Sequence, residues 1–135
     1  MADFDPAQDV IRIADVEPVE EPGFKRRYLF RGERMMVYYS EMQPGVDSTK
    51  LPEHYRRHDN EEIVFLFQGK LLYEDGRVVE GGMITINHPD QPHGCKVVGD
   101  QPVIALAIHA PPPDRFDDPE MIKNFVGYHH KKRTS

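Results

Sequence analysis

The chain has 135 residues and a mass of 15.6 kDa, with 39% hydrophobic side chains, the size of one ordinary domain with one packed core, which excludes a two-domain enzyme. Its 23 acidic against 17 basic residues set a net charge of −6, so no broad positive field attracts a phosphate backbone or an anionic membrane, and neither is an expected partner. Cys95 is the single cysteine and closes no intramolecular disulfide. No run approaches the length of a membrane span, and the opening MADFDPAQDV is acidic where a signal peptide is basic and then apolar, so the expected location is cytoplasmic.

Residues 1–24 carry Asp3, Asp5, Asp9, Asp15, Glu17, Glu20 and Glu21 around a short apolar alternation at Val10, Ile11 and Ile13. They read as a partly ordered acidic arm able to add one edge strand. From Tyr28 onward, short β-branched and aromatic runs predict strands at Tyr28–Phe30, Met35–Tyr39, Ile63–Phe67, Lys70–Tyr73, Arg77–Val79, Met83–Ile86, Lys96–Val98 and Val103–Ile108. Turn residues separate them. Asp75-Gly76 is the strongest such signal, since a two-residue primed turn needs positive φ at both positions, and it predicts that Leu71–Glu74 pairs with Arg77–Glu80.

No helical pattern alternates with these strands, which leaves an all-β sandwich or barrel. Ile63–Phe67 is apolar at both parities, a pattern of strands covered on two faces. Pro111–Pro113 ends the sheet. Asp118, Pro119 and Glu120 then predict a short helix through Met121, Ile122, Phe125 and Val126, stopped by Gly127. The run His129–Arg133 reads as a solvated, mobile end. The expected organisation is an arm over 1–24, a barrel over 25–113, and a helix with basic tail over 114–135, all in one domain.

Chemistry concentrates in two stretches. If Glu62 opens a strand, alternation places Glu62, Val64 and Leu66 on one face, and an extended approach adds His54, Arg56 and His58 to it. Some residues later, Gly82–Gly94 reads as a strand followed by a proline-stiffened loop presenting His88 and His93. A metal that takes imidazole and carboxylate together, with positions left open, needs this set of ligand types.

Gly45, His58, Glu62 and Gly69 together resemble the first motif of the cupins, and Gly82 through Pro92-His93 resembles the second. The resemblance spans about residues 35–110. It implies a double-stranded β-helix, or jelly-roll, barrel with a metal site in its mouth, and homodimers. It also implies His58, Glu62 and His93 as metal ligands. The family's first histidine is replaced by Arg56, with His54 two residues earlier, so the site is a three-ligand one, a rearranged one with His54 as fourth ligand, or dead. Arg56 either swings to solvent or pairs with an anion such as a substrate carboxylate. A second, weaker likeness runs from Asn87 to Gly94, which is similar to the loop beside the iron of homogentisate dioxygenases. It implies His88 at the substrate and His93 on the metal.

Other side chains take plainer readings. Cys95 is a small buried filler, His109 a strand-end cap with facing the pocket as its alternative, and Tyr38, Tyr39 and Phe67 core aromatics. A closed structural zinc site lacks its cysteines. The leading functional expectation is a dioxygenase-like metalloenzyme using Fe(II) on a small aromatic or carboxylate substrate, with His88 or His54 moving a proton and Arg56 clamping an anion. The alternatives are a Zn, Mn or Ni isomerase or lyase of the same fold, and a metal-free cupin that binds a sugar or a carboxylate. A sheet-edge homodimer is the expected assembly.

Overall fold

In the computed structural model, which describes residues 10–52 and 59–129 and leaves out the side chains of 127–129, every predicted strand is present. In chain order they are β1 (Val19–Glu21), β2 (Phe24–Gly32), β3 (Met36–Met42), β4 (Glu61–Gln68) and β5 (Lys70–Tyr73), then β6 (Val78–Glu80), β7 (Ile84–Asn87), β8 (Cys95–Val98), β9 (Val103–Ala110) and β10 (Gly127–His129). The larger sheet runs β1-β2-β3-β9-β4-β7, with β10 also on β2, and the smaller runs β6-β5-β8. Pairing is antiparallel except between β10 and β2. The all-β jelly-roll expectation holds.

Alternation decides what faces the interior. From the larger sheet come Tyr38, Val64, Leu66, Ala105 and Ala107; from the smaller come Leu71, Tyr73, Val79, Cys95 and Val97, all buried. The turn before β5 needs a glycine: Gly69 has φ +89°, and a Cβ there would lie 2.8 Å from the Pro102 carbonyl oxygen. The acidic arm contributes β1, whose Glu21 accepts a 2.9 Å ion pair from buried Arg26. The Arg26 guanidinium is also stacked over the rings of Phe24 at 4.5 Å and Tyr38 at 4.4 Å.

Four expectations need correction. The Asp75-Gly76 hairpin has a three-residue loop: Leu71 faces Val79, Leu72 faces Val78, and the Gly76 N–H donates to the Tyr73 carbonyl. Only Gly76 of the pair has positive φ, the pattern of a type I turn closed by a left-handed glycine. This shifts the register by one residue from the expected pairing. Second, β4 is covered on one face only, with Phe65 and Phe67 exposed.

Third, the Asp118 side chain does cap the helix, accepting from the Glu120 N–H at 2.9 Å, but the helix spans only Pro119–Ile122. Phe125 leaves it to pack on Tyr28, with ring centroids 5.0 Å apart. Fourth, Gly127 opens β10, so His129 belongs to a strand rather than to a free tail. No helix among the described residues is long and apolar enough to cross a membrane.

Candidate functional site

A cavity of about 250 Å³ opens between the two sheets. It exists because β9, a central strand, turns alanines inward: Ala105 and Ala107 line it where larger side chains would fill it. Apolar walls come from residues such as Val64, Leu71 and Phe116, while the polar groups gather around one carboxylate, Glu62.

Register brings these groups together. Glu62 on β4 lies directly opposite Asn87 on β7 and His109 on β9. The Asn87 Nδ2 donates to Glu62 Oε1 at 2.9 Å, and His109 Nε2 is 2.9 Å from Oε2. His93 Nε2 lies 3.5 Å from Oε1. The Tyr38 hydroxyl, one inward position along β3 from the residue facing His109, is 3.1 Å from His109 Nε2 and 3.5 Å from Glu62 Oε2. His109 stacks on the Tyr38 ring at 5.4 Å, and Asn60 Nδ2 reaches its Nδ1 at 3.1 Å. All six of these side chains are buried.

The loop that carries His93 is held at several points. The Gln91 side chain accepts from the His88 N–H at 3.0 Å and donates to Asp75 at 3.2 Å. The Gly94 N–H donates to the Glu74 carboxylate at 2.6 Å. His93 Nδ1 donates to the Gln91 carbonyl at 3.0 Å, which turns Nε2 toward Glu62.

Burial controls the ionisation of the wall. It pushes the Tyr38 phenol well up, against the pull of the Arg26 guanidinium and with the further push of Glu62. The Tyr73 phenol is raised for the same first reason. The Cys95 thiol is pushed up to about 12 by burial, so it is a neutral wall residue and no nucleophile, as the sequence reading has it. Ser40 Oγ and Asn87 Oδ1 line the cavity wall and have no hydrogen-bond partner among the described residues.

Of the predicted site residues, Glu62 and His93 meet in the cavity. His88 is exposed on the turn outside it, its backbone engaged by Gln91. His54, Arg56 and His58 lie outside the described residues. Three residues read as ordinary in the sequence belong to the site. His109 is not a strand-end cap, and Tyr38 is more than core. Asn87 was read only as the start of the loop that carries His93. Parity along β9 and β3 was the available signal, since His109 shares the inward parity of Ala105 and Ala107. Phe67, by contrast, is 57% exposed and stacks on Tyr39 on the outer face rather than in the core.

No protein-family model matches the chain, and no curated protein sequence does. Solved structures do match in shape. KdgF from Halomonas sp. is 17% identical with a TM-score of 0.62, covering 74% of this chain and 90% of its own. An RmlC-like cupin from Shewanella frigidimarina is 16% identical with a TM-score of 0.65, covering 80% and 95%. The polyketide cyclase RemF from Streptomyces resistomycificus is 18% identical with a TM-score of 0.63, covering 87% and 98%. At such identities the likeness speaks for the fold and not for an activity. The narrower likeness to homogentisate dioxygenases rests on the Asn87–Gly94 loop alone. Two antiparallel sheets around a polar-centred cavity, matched over most of the chain by these structures, make this a small domain of the cupin fold.

Proposed function

We propose that the cavity is the reaction chamber of a small metal-dependent cupin enzyme, oxygenase-like in its chemistry, acting on a small aromatic or carboxylate substrate. The observation that carries this reading is the pairing of His93 and Glu62. His93 Nδ1 donates to the Gln91 carbonyl, so Nε2 is the ring atom that faces a carboxylate oxygen 3.5 Å away. Two ligands sharing one ion stand about 3.0–3.5 Å apart for bonds near 2.1 Å, the spacing these two atoms have.

Glu62 and His93 would hold the metal, with His58 as the expected third ligand. Among the described residues no group of three His, Cys, Asp or Glu side chains is placed to hold an ion. A bound Fe(II) would supply oxygen chemistry, whereas Zn, Mn or Ni would supply a Lewis acid. The protein's own groups do the rest. Ala105 and Ala107 make room for a ring-sized substrate, since a cavity of about 150 Å³ already takes benzene. Arg115, in the wall with its guanidinium over Phe116 at 4.1 Å, offers a counter-charge for a substrate carboxylate. The Tyr38 hydroxyl, kept protonated by burial, is placed to donate a hydrogen bond into the cavity.

A metal-free binding domain is the second reading. It is favoured by the carboxylate itself, whose two oxygens already have partners in Asn87 and His109. Elemental analysis of untagged protein purified without chelators separates the two. The enzyme reading expects near-stoichiometric metal, lost in His93→Ala with the fold kept. No metal, before or after reconstitution, together with thermal stabilisation by small carboxylates, would establish the binding domain instead.

A further inference from the structure

His109 is the obvious substitute for the family's missing histidine, being buried and 2.9 Å from Glu62. The geometry points to a different role: Asn60 and His109 form a positioning pair that fixes the orientation of the Glu62 carboxylate, and His109 is a hydrogen-bond donor rather than a metal ligand. This rests on the metalloenzyme reading for its effect on metal affinity, but not for its account of the histidine.

The argument starts at Pro111. The carbonyl of Pro111 can only accept, and Asn60 Nδ2 is 2.7 Å from it. The amide is therefore oriented with nitrogen, not oxygen, toward that carbonyl. The same nitrogen is 3.1 Å from His109 Nδ1, so its second hydrogen points at the ring and Nδ1 must accept. The proton of neutral His109 is thereby placed on Nε2, where it is donated to Glu62 Oε2. A ring with its proton on Nε2 has no lone pair there for a cation.

The consequence reaches the opposite oxygen. With Oε2 held by His109 and Oε1 bonded by Asn87 at 2.9 Å, the carboxylate plane cannot rotate, and Oε1 stays turned toward His93. The amide does this at a cost: Asn60 Oδ1 is buried and has no hydrogen-bond partner among the described residues. The Tyr38 ring against His109 at 5.4 Å limits the imidazole's own tilt.

The test combines nitrogen NMR of the histidine rings in the metal-free protein with Zn(II) titration against a chromophoric chelator. Wild type is expected to carry the His109 proton on Nε2. Asn60→Asp, which offers an acceptor where the amide offers a donor, is expected to move a proton to Nδ1 and weaken Zn(II) about 10–100-fold, the usual cost of losing an outer partner. His109→Gln keeps a donor toward Glu62 without a tautomer to set. It should therefore hold Zn(II) nearly as wild type does, and Asn60→Asp combined with His109→Gln should recover most of the affinity lost by Asn60→Asp alone.

A wild-type proton on Nδ1 of His109 overturns the positioning role whatever the metal result. Loss of Zn(II) in His109→Gln as severe as in His93→Ala overturns it in favour of His109 as a ligand. Wild type that takes up no Zn(II) while showing the Nε2 proton overturns the metalloenzyme reading and the affinity consequence together, and supports the tautomer assignment.

Discussion

The two faces of the β3-β9-β4-β7 sheet are both apolar, and the polar groups Glu62, Asn87 and His109 sit on the inner one. An antiparallel sheet with one solvated face puts apolar residues inside and polar ones outside. Here β9 turns Ala105, Ala107 and His109 inward and Ile104, Leu106 and Ile108 outward. On β4, Glu62 is inside while Phe65 and Phe67 are outside; on β7, Asn87 is inside while Ile84, at 54% exposure, and Ile86 are outside. The interior combines a hydrophobic core with a cavity that has a polar centre. The outer face has the composition of a covered surface, and contiguous apolar patches beyond a few hundred Å² mark interaction sites. The expected homodimer would cover it, since a two-fold interface sets one patch against the same patch of its partner.

The largest expected effect is on the inner side. Glu21→Ala removes the carboxylate from a buried pair whose Arg26 and Glu21 side chains are 6% and 11% exposed, and removal of one partner from such a pair costs about 3–5 kcal/mol. Chemical denaturation checks this, and a loss below about 1 kcal/mol would mean that the arm is not clamped by that pair. Next, Ala107→Leu fills the cavity. It should cost about 1–3 kcal/mol through overpacking and abolish binding of a small aromatic probe such as phenol, followed by NMR; undiminished binding would place the ligand elsewhere.

On the outer face, Phe67→Asp with Ile84→Asp should change the stability of the monomer by about 0.5 kcal/mol or less per site. Sedimentation velocity should show it turning a dimer into a monomer. A monomeric wild type would leave the apolar face without the cover assigned to it.

The smallest effect at neutral pH concerns ionisation inside the barrel. Burial raises the Cys95 thiol from 9.0 to about 12, and raises the phenols of Tyr28, Tyr38 and Tyr73 as well. Each is an acid held neutral in the folded state beyond the pH at which the unfolded chain releases its proton. The folded state then binds more protons, so stability is full below about pH 9 and is lost as pH rises toward 12. Cys95→Ala should flatten the first part of that decline in thermal melts. An unchanged slope would show that the phenols alone carry it.

Much of the scaffold was legible along the chain because strand pattern and caps are local. The β-branched and aromatic runs located all eight predicted strands, and Asp118 and Pro119 located the helix start. Glu62 and His93 were legible through their motifs. The Asp75-Gly76 register was missed because two-residue and three-residue turns share the same dipeptide, and only the φ of Asp75 separates them. His109 looked like a strand end because nothing near it in sequence is polar and inward; its partners Glu62, Tyr38 and Asn60 come from β3, β4 and the residue just before β4.

The sequence by itself determined the strands, the inward parity of Glu62, and the loop that presents His93, since each follows from alternation or turn chemistry within a few residues. Only the tertiary structure decided which inward residues meet. Parity says that Glu62, Asn87 and His109 each face a core, but pairing across strands 25 and 47 residues apart sets them side by side. Parity also cannot say which face of an apolar strand becomes the interior. That choice was made by the second sheet, which packs against the alanine and glutamate side and leaves the isoleucines and phenylalanines outside.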